Sequence, residues 1–192
     1  MYSFKLEMTL AEENYLKAIF HLETKASNGV STNAIADALE TKPSSVTDMV
    51  QKLAEKKLLS YQKYKGTHLT PTGRKIAAKV VRKHRLWEVF LVDKLKFQWD
   101  EVHEIAEQLE HIKSDELIVR LDTFIGSPEF DPHGDPIPDM HGNIKNTKKI
   151  LLAEIEKNQL GICVGVKESS ADYLRYLDKK KISIGSEITV VS

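Results

Sequence analysis

Apolar residues recur at helical spacing from Leu10 to Glu23, where Leu10, Tyr15, Leu16, Ile19, Phe20 and Leu22 form a stripe. Thr9 and Glu12 stand three apart at its start and fit a capping box. Asn28-Gly29 closes this element. Ser31 to Leu39 reads as a short helix with Ile35, Ala36 and Leu39 inward, and Thr41-Lys42 breaks it. Pro43 opens a third helix to Lys57, burying Val46, Met49, Val50 and Leu53. Leu58–Tyr64 and Thr67–Thr70 flank Lys65-Gly66 and predict a hairpin.

Pro71 starts a long helix to about Leu95, with Ile76, Ala77, Val80, Val81, Trp87, Phe90 and Leu91 apolar. Asp100–Ile112 predicts another helix, and Ser114 caps one to about Ile125. Pro128–Gly142 is rich in Pro, Gly and Asp and reads as a linker. Beyond it the pattern predicts a short helix at Asn146–Asn158, a strand at Gly161–Lys167, a helical turn at Ala171–Leu177 and a strand at Glu187–Val191. The fold class is mainly α. It divides into a winged helix-turn-helix at 1–71, a helical domain at 72–142 whose candidate role in metal binding and dimerisation rests on the donors and the resemblance given below, and a small β segment at 143–192.

Helix, short helix, turn, helix and hairpin is the order of a winged helix-turn-helix. The third helix then enters the DNA major groove, presenting Lys42, Ser44, Ser45, Thr47 and Asp48, with Thr32 at the start of the second helix. Lys63 and Lys65, at the wing tip, face the phosphate backbone.

Net charge is zero, so it names no partner, but the charges are segregated. Residues 52–85 carry eleven Lys/Arg and one acid, whereas residues 86–142 carry fourteen Asp/Glu and four Lys/Arg. A basic block beside an acidic one suits an anionic polymer and cations in turn. Five of the seven histidines, His84, His103, His111, His133 and His141, fall in or beside the acidic block.

On an ideal helix with His103 at zero, Glu107 falls near about 40°, Glu110 near about −20° and His111 near about 80°. Four donors thus share one arc, opposite Val102, Ile105, Ala106, Leu109 and Ile112. His84 and Glu88 add an i,i+4 pair on the preceding helix. Lys83 and Arg85 flank His84 and disfavour its protonated form. Carboxylates with imidazoles suit Mn²⁺ or Fe²⁺ better than a thiolate-bound structural zinc, although other divalent transition metals bind such donors in vitro.

The single cysteine, Cys163, forms no internal disulfide, and no long apolar run or secretory signal is present, so a cytoplasmic location with no membrane partner is expected. A carboxylate-bridged metalloenzyme needs Glu-x-x-His on two helices, and the chain has none, so no enzymatic activity is expected. A winged-helix regulator that senses another ligand is the other alternative.

Four segments together resemble the diphtheria toxin repressor and manganese transport regulator family: Glu12-Glu13-Asn14-Tyr15-Leu16, Lys42-Pro43-Ser44-Ser45-Val46-Thr47, Arg82-Lys83-His84-Arg85-Leu86-Trp87-Glu88, and Glu107-Gln108-Leu109-Glu110-His111 followed by Ser114-Asp115-Glu116. Asp131-Pro132-His133-Gly134-Asp135-Pro136-Ile137-Pro138 is also similar. The resemblance implies a homodimeric repressor of metal-uptake genes that binds a palindromic double-stranded operator when loaded with Mn²⁺ or Fe²⁺. It carries a primary metal site onto Asn14, Glu107, Glu110 and His111, and an ancillary one onto His84, Glu88 and His103. Glu168 or Asp172 in the C-terminal part, and Asp131 with His133 in the linker, are the further ligand candidates it implies. Asn14 departs from the Asp or Met usual there, and Glu13 is the alternative donor. Glu107, where iron-sensing relatives carry a thiol, favours Mn²⁺. The tail from Leu160 resembles a FeoA-like β-barrel, either shortened or incomplete.

Overall fold

The computed structural model describes residues 7–24, 29–62, 66–145 and 148–191. It falls into two compact units, Met1–Arg82 with Asp139–Asn143, and Lys83–Pro138 with Ile144–Ser192.

In the first unit, α1 (Leu10–Glu23) is held at its start by the expected reciprocal cap between Thr9 and Glu12. It buries Tyr15, Leu16, Ile19 and Phe20, while Leu10, read as part of that stripe, is exposed. α2 (Thr32–Ala38) is capped by Ser31, whose hydroxyl accepts from the Ala34 N–H. α3 (Pro43–Glu55) begins on Pro43, which lacks the donor that a first turn cannot use. Val46 and Leu53 are fully buried with Leu16, Ile19 and Ile35. Each such side chain contributes about 1.5–3 kcal/mol by leaving water.

β1 (Leu59–Gln62) pairs antiparallel with β2 (Gly66–Leu69), and the turn residues Lys63 and Lys65 lie outside the described residues. Val30 bridges the far side of β2 through reciprocal bonds with Thr67, both 2.9 Å. Gly66 sits at φ +75°, where a Cβ would come within 2.9 Å of the Gly29 backbone, so this junction requires glycine.

α4 (Pro71–Asp93) runs through both sequence segments, and its C-terminal half belongs to the second unit. There Leu86, Trp87 and Val89 pack with Ala106 of α5 (Val102–Leu109), Leu121 of α6 (Asp115–Phe124), Ile125 and Ile137. α5 is shorter than the sequence suggests: Glu110 caps it and His111 lies beyond. Glu110 keeps a right-handed helical conformation, and its N–H still donates to the Ala106 carbonyl at 2.9 Å, so of the four donors placed on one arc only His111 lies past the helical turn.

Residues 128–142, read as a linker, are folded by their own hydrogen bonds. Phe130 bridges Pro136, and Asp131 Oδ1 accepts from the N–H groups of His133 and Asp135 at 2.8 and 2.9 Å. The helix expected at Asn146–Asn158 is also absent from the described residues, which hold only a 3₁₀ turn at Leu152–Glu154. β3 (Leu160–Ile162) stops well short of Lys167 and pairs with β4 (Glu187–Thr189), and α7 (Ala171–Lys179) lies between them in sequence. This is a two-stranded sheet among the described residues, and a barrel is not seen. Short ladders of three residues leave Leu160 and Ile162 exposed rather than enclosed.

Candidate metal centre

The exposed face of α3 carries Lys42, Ser44, Ser45, Thr47 and Asp48, opposite buried Val46 and Val50. Thr47 turns its hydroxyl back to the Pro43 carbonyl at 3.0 Å, and Thr32 is half-buried at the start of α2. The basic block is less free than its sequence suggests. Lys56 and Lys52 reach the fully buried Glu12 carboxylate at 2.6 and 3.1 Å, and Arg74 pairs with Glu23. Burial pushes the Glu12 carboxyl up, but Lys56, the Thr9 N–H and Lys52 outweigh it and hold it at about 2.

In the second unit a buried carboxylate, Glu88, collects three imidazoles. His84 lies one turn earlier on α4, so its ring shares Glu88's face, with Nε2 3.0 Å from Glu88 Oε1. His103, at the start of α5, brings Nδ1 to 3.5 Å from the same oxygen and to 3.2 Å from His84 Nε2. On the other side His133 Nδ1 stands 3.7 Å from Glu88 Oε2. His84, Glu88 and His103 form one set of metal-ligating atoms within 4.8 Å of one another, and Glu88, Asp131 and His133 form a second. Burial raises the Glu88 carboxyl, yet the bonds from His103, His133 and His84 win and hold it well below the usual carboxylate range.

The outer nitrogens of the rings are also engaged. His84 Nδ1 lies 2.6 Å from Glu110 Oε2, His133 Nε2 lies 2.8 Å from the Trp99 carbonyl, and His103 Nε2 lies 3.5 Å from Glu107 Oε1. An acceptor on the outer nitrogen orients each ring, the usual support of a metal-ligating histidine, and directs the inner nitrogen at Glu88. The environment of His84 is thus anionic, contrary to the reading from Lys83 and Arg85. Arg85 points away, with Nε 3.3 Å from Asp131 Oδ2, Nη2 3.2 Å from Asp135 Oδ2, and Nη1 donating to the Pro136 carbonyl at 2.5 Å. Burial and the Glu88 charge together outweigh Arg85 and push the Asp131 carboxyl up to about 6. Burial lowers the His133 imidazole, but Glu88, the Trp99 carbonyl and Asp131 outweigh it and carry it to about 9.

The loop that presents Asp131 and His133 is clamped by the C-terminal part of the same unit. Val166 N–H donates to the His133 carbonyl at 3.0 Å, and Lys149 Nζ donates to the Gly134 carbonyl at 2.5 Å. Gly134 has φ +83°, and a Cβ there would come within 2.2 Å of the Val164 carbonyl. Trp99 stacks on His133 at 6.2 Å and donates its indole N–H to Asp178 at 3.0 Å.

Of the remaining candidates, Glu107 and Glu110 adjoin the cluster through His103 and His84. Glu110 is buried, with Oε1 3.6 Å from His111 Nε2, whereas the Glu107 side chain is 53% exposed. Asn14 is half-buried on α1 in the other unit. Glu168 is exposed and accepts from the Ser170 hydroxyl at 2.6 Å, and Asp172 is 99% exposed beside Arg175. Neither belongs to the two donor sets around Glu88. Sequence reasoning missed Arg85 and Trp99, because one looked like part of the basic block and the other acts through its backbone carbonyl.

These donors are oxygens and imidazole nitrogens without thiolate, which fits Mn²⁺, Fe²⁺ or Zn²⁺ in that chemistry and no soft-metal site. Two family descriptions match the chain: "Iron dependent repressor, N-terminal DNA binding domain" over residues 7–67, and "Iron dependent repressor, metal binding and dimerisation domain" over residues 70–139. The chain is 33% identical over 150 residues to the iron-dependent repressor IdeR of Mycobacterium leprae, a match covering 74% of this chain and 65% of that protein. It is 30% identical over 190 residues to the diphtheria toxin repressor of Corynebacterium diphtheriae, covering 93% and 83%. A solved manganese-dependent transcriptional repressor in complex with manganese superposes with TM-score 0.84 at 35% identity, covering 94% of this chain and 83% of that one.

Proposed function

The chain belongs to the iron-dependent repressor family of metal-sensing, DNA-binding transcriptional repressors, and from that premise we propose that it represses metal-uptake genes as a Mn²⁺-loaded homodimer. The observation that carries the reading is the set of imidazoles around Glu88, each with an acceptor on its outer nitrogen. A bound divalent ion supplies positive charge to a region where residues 86–142 hold fourteen acids. Glu107, Glu110 and His111 are the proposed primary ligands, with Asn14 as the amide donor that the resemblance implies. His84, Glu88 and His103, with Asp131 and His133, are the proposed ancillary ligands. Mn²⁺ is favoured over Fe²⁺ because Glu107 is a carboxylate where a softer ion would call for a thiol.

The exposed face of α3 reads the operator. Ser44, Ser45 and Asp48 face the bases, while Lys42, with Lys63 and Lys65 from the wing, neutralises phosphate. A homodimer on DNA presents two such helices to a palindromic site about one helical turn apart. A protein with this role works in the cytoplasm, and no helix among the described residues is long and apolar enough to cross a membrane.

The test is operator affinity across buffered Mn²⁺ for the wild type and His111→Ala. The variant should fold and dimerise yet lose metal-stimulated binding. A variant that responds to Mn²⁺ like the wild type removes His111 from the sensor, and metal-independent binding by the wild type refutes metal sensing.

A further inference from the structure

Asp131-Pro132-His133-Gly134-Asp135 is followed closely in sequence by Asp139-Met140-His141-Gly142-Asn143, and the two stretches fold alike. In each, Oδ1 of the leading aspartate accepts from the N–H groups two and four residues on, at 2.8 and 2.9 Å in the first loop and at 2.8 Å for both in the second. The aspartate N–H donates to the carbonyl of the last residue at 3.0 Å in the first loop and 2.9 Å in the second, and the glycine N–H donates back to the aspartate carbonyl at 3.0 Å in both. Both glycines have positive φ, +83° and +88°. The second loop adds a bond from Asn143 Nδ2 to Asp139 Oδ2 at 2.8 Å.

The two loops belong to different units. Asp131–Asp135 is part of the second, whereas Asp139–Asn143 is part of the first, and the chain rejoins the second at Ile144. Within the first unit Gly142 lies against α4, where a Cβ would come within 3.1 Å of the Ala78 Cβ and 3.6 Å of the Lys75 Cα. Ala78 is fully buried in the core that holds the DNA-reading helices. Within the second unit the chain is fastened on both sides of this excursion. Ile137 N–H donates to the Glu129 carbonyl at 2.9 Å, and Lys145 Nζ meets both oxygens of the Glu129 carboxylate at 2.9 Å.

We propose that the Asp139–Asn143 loop is a clasp, a second chain tie beside α4 itself, that restricts the movement of the DNA-reading unit. Its purpose rests on the repressor reading above; the tie itself does not. A continuous helix such as α4 still bends, so one helical connection alone leaves a range of orientations open. Three features make the excursion a tie rather than slack chain. Asp139 closes the loop through its own carboxylate, so the loop keeps its shape without help from neighbours. Pro136 and Pro138 fix φ on either side of Ile137 and stiffen the stem. Gly142 is required twice, by its positive φ and by the close approach to Ala78, which marks a fitted contact on α4.

The experiment uses the full chain carrying Cys163→Ser, with nitroxide labels at Asp37→Cys on α2 and Glu104→Cys on α5, both exposed positions. Pulsed electron paramagnetic resonance is recorded without added metal, after dilution with unlabelled chains so that only distances within one chain are read. The clasp predicts a narrow distance distribution. Asp139→Ala removes the acceptor that closes the loop, and Gly142→Val drives a side chain at Ala78. Each should broaden the distribution and lower operator affinity at saturating Mn²⁺ about tenfold. Asp139→Asn keeps an oxygen for both N–H groups and should restore both readouts toward the wild type. Met140→Ala, at a side chain 62% exposed, should change neither. An unchanged distribution in both Asp139→Ala and Gly142→Val overturns the clasp, as does broadening with unaltered operator affinity. Broadening in a protein whose DNA binding ignores Mn²⁺ leaves the tie standing and overturns the repressor reading, because the label distances need neither metal nor operator.

Discussion

Replacing Glu12 by Gln isolates one charge in the DNA-reading unit. Glutamine still accepts the Thr9 N–H at the third position of the cap, so the capping box survives and only the ion pairs to Lys56 and Lys52 are lost. The drop of the Glu12 carboxyl from 4.5 to about 2 corresponds to roughly 3 kcal/mol, at about 1.36 kcal/mol per pH unit. Lys52 is 50% exposed and Lys56 29%, so solvent screening reduces this to about 1–2 kcal/mol. A carboxyl depressed in the folded state stabilises above its unfolded value of 4.5, and that stabilisation is lost as pH falls toward about 2. Urea denaturation followed by far-ultraviolet circular dichroism, at about pH 7 and about pH 3, measures the difference between the two proteins. Glu12→Gln should be about 1–2 kcal/mol less stable at the higher pH, with less than half that gap remaining at the lower. An equal gap at both values, or none at pH 7, refutes the assignment of Glu12 as a stabilising buried anion.

Lys42→Ala should weaken binding to all DNA sequences alike and reduce the salt slope by about 1, whereas Ser44→Ala should change sequence preference; mobility shifts over a salt series distinguish them. Phe124 is 65% exposed on α6; taking this apolar side of α6 as the surface of the proposed homodimer, Phe124→Asp should give monomer in light scattering at micromolar concentration. Gly134→Ala forces a Cβ against the Val164 carbonyl at φ +83°, so it should cost about 1–3 kcal/mol, release the loop from the C-terminal part and red-shift the emission of Trp99, which stacks on His133.

The N-terminal elements were legible because their signals are local. Thr9 with Glu12, Ser31, Pro43 and the stripe from Tyr15 to Phe20 each sit within a few residues of what they determine. The second role of Glu12 was not legible, because Lys52 and Lys56 are distant in sequence and carry no mark that distinguishes them from DNA-facing lysines. The candidate centre divides the same way. His84 and Glu88 share a helix face by spacing alone, but His111 was projected on a helix that Glu110 caps. Asp131 and His133 entered as linker candidates from resemblance; their burial beside Glu88 depends on Asp131 folding its own loop and on Val166 and Lys149 clamping it, which no periodicity encodes. In the C-terminal part, Ile150–Ala153 is an apolar run flanked by charged residues and suggests a helix, but helical nucleation is costly, and only one 3₁₀ turn forms there among the described residues.

The ion cluster at Glu12 also makes α1 a handle on α3. Because Lys52 and Lys56 grip a carboxylate in the first turn of α1, a push or pull on that turn would pass through these two ion pairs to α3, the helix proposed to face the operator. Asn14 sits two residues further along the same turn, so a displacement imposed at Asn14 would reach α3 by way of Glu12, and loss of the two ion pairs would weaken that link.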